Sequence, residues 1–154
     1  MLKPKLNLGC GTDIKEGYLN VDYIDGIGVD QVADLNVFPW PWPDNTFEEI
    51  NMMDIFEHLE NPIGSLQEIY RISQNGALIK IKSPHFSSCD AWNDLTHKHP
   101  LGARVFTHFL VNSHSTSAEV KRSMKFRLLK RELRFGRPTR WLGFGFIFSR
   151  IIRF

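Results

Sequence analysis

A short apolar run, Lys5 to Leu8, breaks off into Gly9-Cys10-Gly11, and no other feature constrains the chain as strongly. Glycine accepts positive φ without a steric penalty and carries no Cβ. A strand ending in Gly-x-Gly therefore bends sharply and lets a ligand approach its backbone. In open α/β sheets, ligands sit beyond the carboxyl ends of the strands, where such a turn falls. The next glycine is Gly17, so the third glycine of a dinucleotide fingerprint is missing. Only ten residues lie between Gly11 and Asp22, too few for a full crossover helix, which disfavours a nicotinamide-type oxidoreductase.

Further strands follow the turn. Tyr18 to Asp22 reads as a second, with Leu19 and Val21 on one side, and Val29 to Leu35 can hold a third. Pro39-Trp40-Pro41-Trp42-Pro43 can neither sit inside a sheet nor continue a helix, so it reads as a stiff aromatic loop. Phe47 to Met53 is a fourth strand. Asn61-Pro62 opens a helix, with Asn as cap and Pro at the first turn, and Ile63, Leu66, Ile69, Tyr70 and Ser73 recur at helical spacing. Asn75-Gly76 is expected to end that helix, and Ala77 to Ile81 forms a fifth strand. Arg104 to Val111 suggests a short helix, while Met124 to Phe135 fits a strand or a helix equally well. The order implies an α/β sheet with several parallel members. Two acids fall at consecutive strand ends. Asp22 could accept both hydroxyls of a ribose, and Asp34, followed by Leu35, could accept from an adenine amine.

Length and composition narrow the class. The 154 residues fit one domain, and 42% hydrophobic with 23% charged residues describes an ordered globular chain. Neither a secretory layout nor a spanning segment is evident, and Cys10 and Cys89 make no disulfide framework, so a cytoplasmic location is expected. Charge is split. Residues 1–70 hold thirteen acids against three lysines, and residues 71–154 hold sixteen basic side chains against four acids. The basic excess after Lys121 leaves an anionic partner open as well as a merely solvated face.

The string LNLGCG, GYLNVD, VADL, PWPDNTFEEI, FEHL and EIYRISQNGALIKIKSPH resembles the class I S-adenosylmethionine-dependent methyltransferases of the small type-11-like group. The resemblance runs from Leu6 to about His85, with a weaker echo at Asp94 to Lys98. It implies a Rossmann-like, mostly parallel sheet in a single domain, with residues 1–85 as the cofactor half and 86–154 as the substrate side and basic part. It also implies S-adenosyl-L-methionine as cofactor, held by Asn7, Gly9, Cys10, Gly11, Asp22, Asp34, Leu35, Asp54 and His58, with Glu57-His58 near the methyl group or the acceptor. Three departures stand out. Asn7 replaces an acid common among relatives, the helix after the glycine turn is missing, and the chain stops at Ile151-Ile152-Arg153-Phe154, so the sheet could lack its last strand.

Methyl transfer from a sulfonium is a direct displacement in which the protein mainly aligns the reactants. A base is needed only for an acceptor that must lose a proton, and His85, Asp94 and His97 are the candidates. His97-x-His99, with Cys89, Asp90 and His85 nearby, matches no standard zinc spacing, and no metal is expected. The expected acceptor is a small molecule such as a metabolite, sugar or lipid precursor. The alternatives are a non-catalytic cofactor-binding module, nucleic-acid binding through Lys121 to Arg140 with Trp141, and peripheral membrane contact through Trp141 to Phe154.

Overall fold

A computed structural model describes residues 3–110, 124–134 and 147–153. Its strands are β1 (Lys5–Leu8), β2 (Tyr18–Asp22), β3 (Gln31–Val32), β4 (Phe47–Met53), β5 (Ser73–Pro84), β6 (Arg127–Arg134) and β7 (Ile147–Arg153). Helices α1 (Pro62–Ile72) and α2 (Asp90–Asn93) and two short 3-10 turns, Phe56–His58 and Val105–Phe109, complete it. The strands form one sheet in the order β3-β2-β1-β4-β5-β7-β6. β1 to β5 run parallel, and β7 is antiparallel to both β5 and β6. Where the sequence suggested a sheet without its last strand, residues 147–153 form β7 and join β5 to β6.

Strand alternation gives the sheet two unlike faces. Leu19, Leu6, Ile50 and Ile79 lie in one cross-strand row, and Val21, Leu8, Met52 and Ile81 in the next. They are buried with Leu66, Ile69 and Ile72 of α1 and with Trp40, Trp42, Phe47 and Phe56 in one core. Each such side chain contributes about 1.5–3 kcal/mol when fully buried. Trp40 meets Trp42 edge-on, and Trp42 meets Phe47 in the same way, so the Pro-Trp loop is a lid on the core rather than a surface loop.

The opposite face is polar. Asn20, Asn7 and Asn51 stand side by side across β2, β1 and β4, with Lys80 of β5 next in the row. Parallel sheets ordinarily bury both faces under helices. Here the β1–β2 connection is a loop, and the asparagines bind it. Asn7 Nδ2 donates to Asp13 O (2.8 Å) and to Asn20 Oδ1 (3.0 Å), and Asn51 Nδ2 donates to Asn7 Oδ1 (2.6 Å). Asn20 Oδ1 accepts from Lys15 N (2.9 Å), and its Nδ2 donates to Lys15 O (3.1 Å). The missing helix and the Asn at position 7 are thus one feature, because buried side-chain amides satisfy loop backbone that a helix would have satisfied internally.

Helix α1 starts where expected. Asn61 Oδ1 accepts from Gly64 N at 2.9 Å, and Pro62 sits at the first position. It ends earlier than Asn75-Gly76 suggested. Ser73 Oγ donates to Ile69 O at 2.6 Å and the chain passes straight into β5, so Gly76, at φ +82°, marks instead the register slip between the Phe47–Ser73 and Glu49–Leu78 pairs. Ile63, expected on the buried stripe, is 45% exposed. The third strand is only Gln31–Val32, because Asp34 turns the chain by accepting from Asn36 N. Val105–Phe109 is a 3-10 turn, and the ambiguous segment after Met124 is strand β6. β6 is an edge strand studded with Arg127, Lys130, Arg131 and Arg134, charges that discourage pairing with another chain. The rest of the basic and aromatic stretches read for nucleic acid or membrane, 121–123, 135–146 and 154, lies outside the described residues. No described helix is long and apolar enough to cross a membrane.

Arg71 ties α1 to the Pro-Trp loop. Its guanidinium donates to Trp42 O (2.8 Å), Trp40 O (3.0 Å), Glu68 Oε2 (2.6 Å) and Asp44 Oδ1 (2.8 Å), and Glu68 in turn accepts from Trp40 N. Arg71→Ala removes the donor from two carbonyls and two carboxylates, so urea unfolding should show a loss of about 2–4 kcal/mol. A loss under about 0.5 kcal/mol would mean that the network adds little to stability.

Candidate functional site

The carboxyl ends of β1 to β4 enclose a cavity of ≈ 370 Å³, within the range that holds a small ligand. Gly9 forms its floor at φ +62°. Cys10 N donates to Val21 O (3.0 Å), pinning the turn against β2. The Asp22 carboxylate is held by backbone on both oxygens. Oδ2 accepts from Gly11 N (2.7 Å) and Oδ1 from Ile24 N (3.1 Å). On the far wall, Asp34 and Leu35 stand beyond β3, fixed by the Asp34–Asn36 turn and by Trp40 Nε1 donating to Leu35 O (3.0 Å). Asn36 Oδ1 accepts from Glu60 N (2.9 Å), which closes the rim against the segment after β4.

Of the residues expected to hold a cofactor, Gly9, Asp22, Asp34, Leu35 and His58 all line this cavity. Gly11 does not line it, but its N–H holds Asp22, which does. Asn7 does not reach it, because its amide is buried among Asn20, Asn51 and Asp13. Cys10 is also turned into the core, where burial and then the Asp22 charge push its thiol up. Asp54, at φ +53°, faces away and pairs with Lys82. Sequence reading missed Tyr23, Ala33, Asn36, Ile55, Leu59 and Glu60. Tyr23 follows directly on β2 and Ile55 lies two residues past the end of β4, so the strand-end rule could have found them.

A second group adjoins the cavity at His58. Glu57 is 2% exposed, and burial pushes its carboxyl up. Its Oε2 accepts from Ser83 Oγ (2.7 Å), and Oε1 has no hydrogen-bond partner. The rings of His58 and His97 meet edge-on with centroids 4.6 Å apart. His97 Nε2 lies 4.0 Å from Glu57 Oε1 and 3.9 Å from Asp94 Oδ2. The Thr96 hydroxyl and N–H hold the Asp94 carboxyl below its usual range. Asp94 and His97 are therefore brought together beside His58, whereas His85 stands apart. It lines an open hollow of ≈ 520 Å³ with Phe86, Gly102, Ala103, Arg104 and Val105, and burial pulls its pKa down, which favours the neutral, proton-accepting ring.

No protein-family profile matches the chain. A curated relative, an uncharacterized methyltransferase of Schizosaccharomyces pombe, is 26% identical over 91 residues. The match covers 58% of this chain and 31% of the relative, so the chain spans about a third of that protein's length. Among solved structures, a SAM-dependent methyltransferase from Archaeoglobus fulgidus superposes with a TM-score of 0.73 at 19% identity, covering 99% of this chain and 86% of its own. A second, from Mesorhizobium loti, gives 0.69 at 13%, covering 97% and 90%. The fold is that of the class I methyltransferases.

Proposed function

We propose that the chain binds S-adenosyl-L-methionine in the Gly9–Asp22–Asp34 cavity and transfers its methyl group to a small acceptor, a metabolite, sugar or lipid precursor. The observation that carries this reading is the convergence on one cavity of the bare glycine turn and the two strand-end acids. The residues present suit the cofactor. Position 11 opens on free space, which leaves room for a ligand at the backbone. Asp22 is oriented by two N–H donors and keeps further lone pairs for hydroxyl donors, as a ribose offers. Asp34 and Leu35 offer an acceptor and an apolar wall to a flat amine-bearing ring.

When bound, the cofactor supplies an electrophilic methyl group on a sulfonium, and the chain's own residues orient and exclude. His58, on the cavity wall, and His97 with Asp94 behind it are placed to take a proton from an acceptor hydroxyl. The hollow by His85 offers an aromatic face at Phe86 and the Arg104 guanidinium, a pairing suited to a sugar or a phosphorylated lipid precursor. A cytoplasmic enzyme is part of this reading.

Calorimetry with S-adenosylmethionine and its demethylated product tests it directly. Asp22→Ala is expected to weaken both by about 1–3 kcal/mol, the scale for stranding buried polar partners. Affinity unchanged in the variant refutes the ribose role. Absence of binding to either compound by a folded wild-type chain overturns the reading.

A further inference from the structure

We propose that Glu57, His58 and His97 form a binding site for a first-row divalent metal ion beside the cofactor cavity. One nitrogen from each imidazole and one Glu57 oxygen lie within 4.8 Å of one another, the one such cluster among the described residues. The sequence could not pair them, because His58 and His97 belong to distant segments brought together by long-range contacts, among them Lys98 N and His99 N donating to Glu57 O.

The hydrogen bonds around the two rings decide which nitrogens are free. The Thr96 hydroxyl has one proton and sits 2.6 Å from the Asp94 Oδ1 carboxylate oxygen, which takes it. The 2.9 Å contact between Thr96 Oγ1 and His58 Nδ1 must then have the ring as donor. His97 Nδ1 lies 3.2 Å from Ala91 O, and a carbonyl only accepts, so it too is a donor. In neutral rings both lone pairs therefore sit on Nε2. Partners on the outer nitrogen, here the Asp94-bound Thr96 hydroxyl and the Ala91 carbonyl, fix metal-ligating histidines in position.

What faces those rings is a buried acceptor without a donor. Glu57 Oε1 is shielded from solvent and unpartnered, and 4.0 Å separates it from His97 Nε2, too far for a hydrogen bond. Two ligands of one ion, each about 2.0–2.2 Å from it, stand in that neighbourhood after a small ring rotation. The nearby lysines are engaged elsewhere, Lys82 with Asp54 and Lys98 with Glu60. A buried carboxylate with His97 Nε2 4.0 Å away and a His58 nitrogen within 4.8 Å calls for a cation. Two imidazoles and one carboxylate select Zn²⁺, Fe²⁺ or Co²⁺ over Mg²⁺ and Ca²⁺ and leave coordination positions open. An acceptor hydroxyl taking one of them would be acidified by the ion itself and release its proton to solvent, so that in the metal-loaded protein His58 and His97 act as ligands and not as bases. That use rests on the proposed methyl transfer; the ion's binding does not.

The test uses tag-free full chain stripped with chelator and titrated with CoCl₂, read by visible d–d absorption, with ZnCl₂ as competitor. One Co²⁺ per chain, displaced by Zn²⁺, is expected. His97→Ala and Glu57→Gln should each weaken binding by at least about tenfold, and Thr96→Val by about 10–100-fold through loss of the His58 partner. Cys89→Ser, an exposed thiol, should leave it unchanged. Absence of cobalt absorption, or absorption retained in both His97→Ala and Glu57→Gln, overturns the proposal. Should Glu57→Gln fail to fold by circular dichroism, His97→Ala decides alone. S-adenosylmethionine binding is read separately by calorimetry, so a failure here is distinct from a failure of the cofactor reading.

Discussion

Asn7→Asp, which installs the acid carried by many of the methyltransferases this chain resembles, is expected to cost about 3–5 kcal/mol of folding stability. The position is 2% exposed, and its amide donates to two acceptors, Asp13 O and Asn20 Oδ1. A carboxylate of nearly the same shape has no proton for either and sets its charge against both. The bond from Asn51 Nδ2 survives, but it cannot offset a buried charge facing two oxygens. Urea unfolding of the wild type, Asn7→Asp and Asn7→Ala at one pH measures this. The Asp variant should be the least stable, and an Asp variant equal to or better than Ala removes the explanation. Burial and neighbouring acceptors raise the introduced carboxyl above its unfolded value. The deficit relative to wild type is therefore full above the folded-state pKa and shrinks as pH falls through it.

The same ladder shows where sequence reading stops. Asn7, Asn20 and Asn51 were each visible, but their contact depends on the register of three parallel strands, which no local pattern specifies. Local chemistry was legible. The Asn61-Pro62 cap and the Phe47–Met53 strand fall where spacing and cap residues place them, and Gly9, Asp22, Asp34 and Leu35 share a cavity because strand ends of an open parallel sheet converge. Errors came where two local signals competed. Asn75-Gly76 is a fair helix stop, but the Ser73 hydroxyl capped Ile69 first, and the glycine was used for a slip within β5. Glu57, His58 and His97 were beyond reach for a different reason. A long-range pairing of backbone groups, Glu57 O with Lys98 N and His99 N, assembles them. Spacing in the chain carries no trace of it.

Gly9→Ala should damage stability and ligand binding together, and the coupling of the two is the informative part. At φ +62° an alanine is strained by roughly 1 kcal/mol. Its Cβ would also lie 2.5 Å from Ile55 Cγ1 and 2.7 Å from Ile55 Cβ, closer than van der Waals contact allows. Both are near the backbone end of a β-branched side chain, so a change of rotamer does not relieve the clash. Overpacking of this kind adds about 1–3 kcal/mol, giving an expected total loss of about 2–4 kcal/mol. Ile55 is itself a wall of the cavity and precedes the turn that carries Glu57 and His58. The displacement must therefore narrow the cavity or tilt that turn, and S-adenosylmethionine affinity should fall by about tenfold or more. Gly11→Ala is the matched control. It has positive φ, at +48°, but nothing within 4 Å of its would-be Cβ, so strain is present without the clash. Its stability loss should stay near 1 kcal/mol, measured by the same urea series. Equal losses at the two positions would assign the effect to backbone strain alone and remove Ile55 from the account.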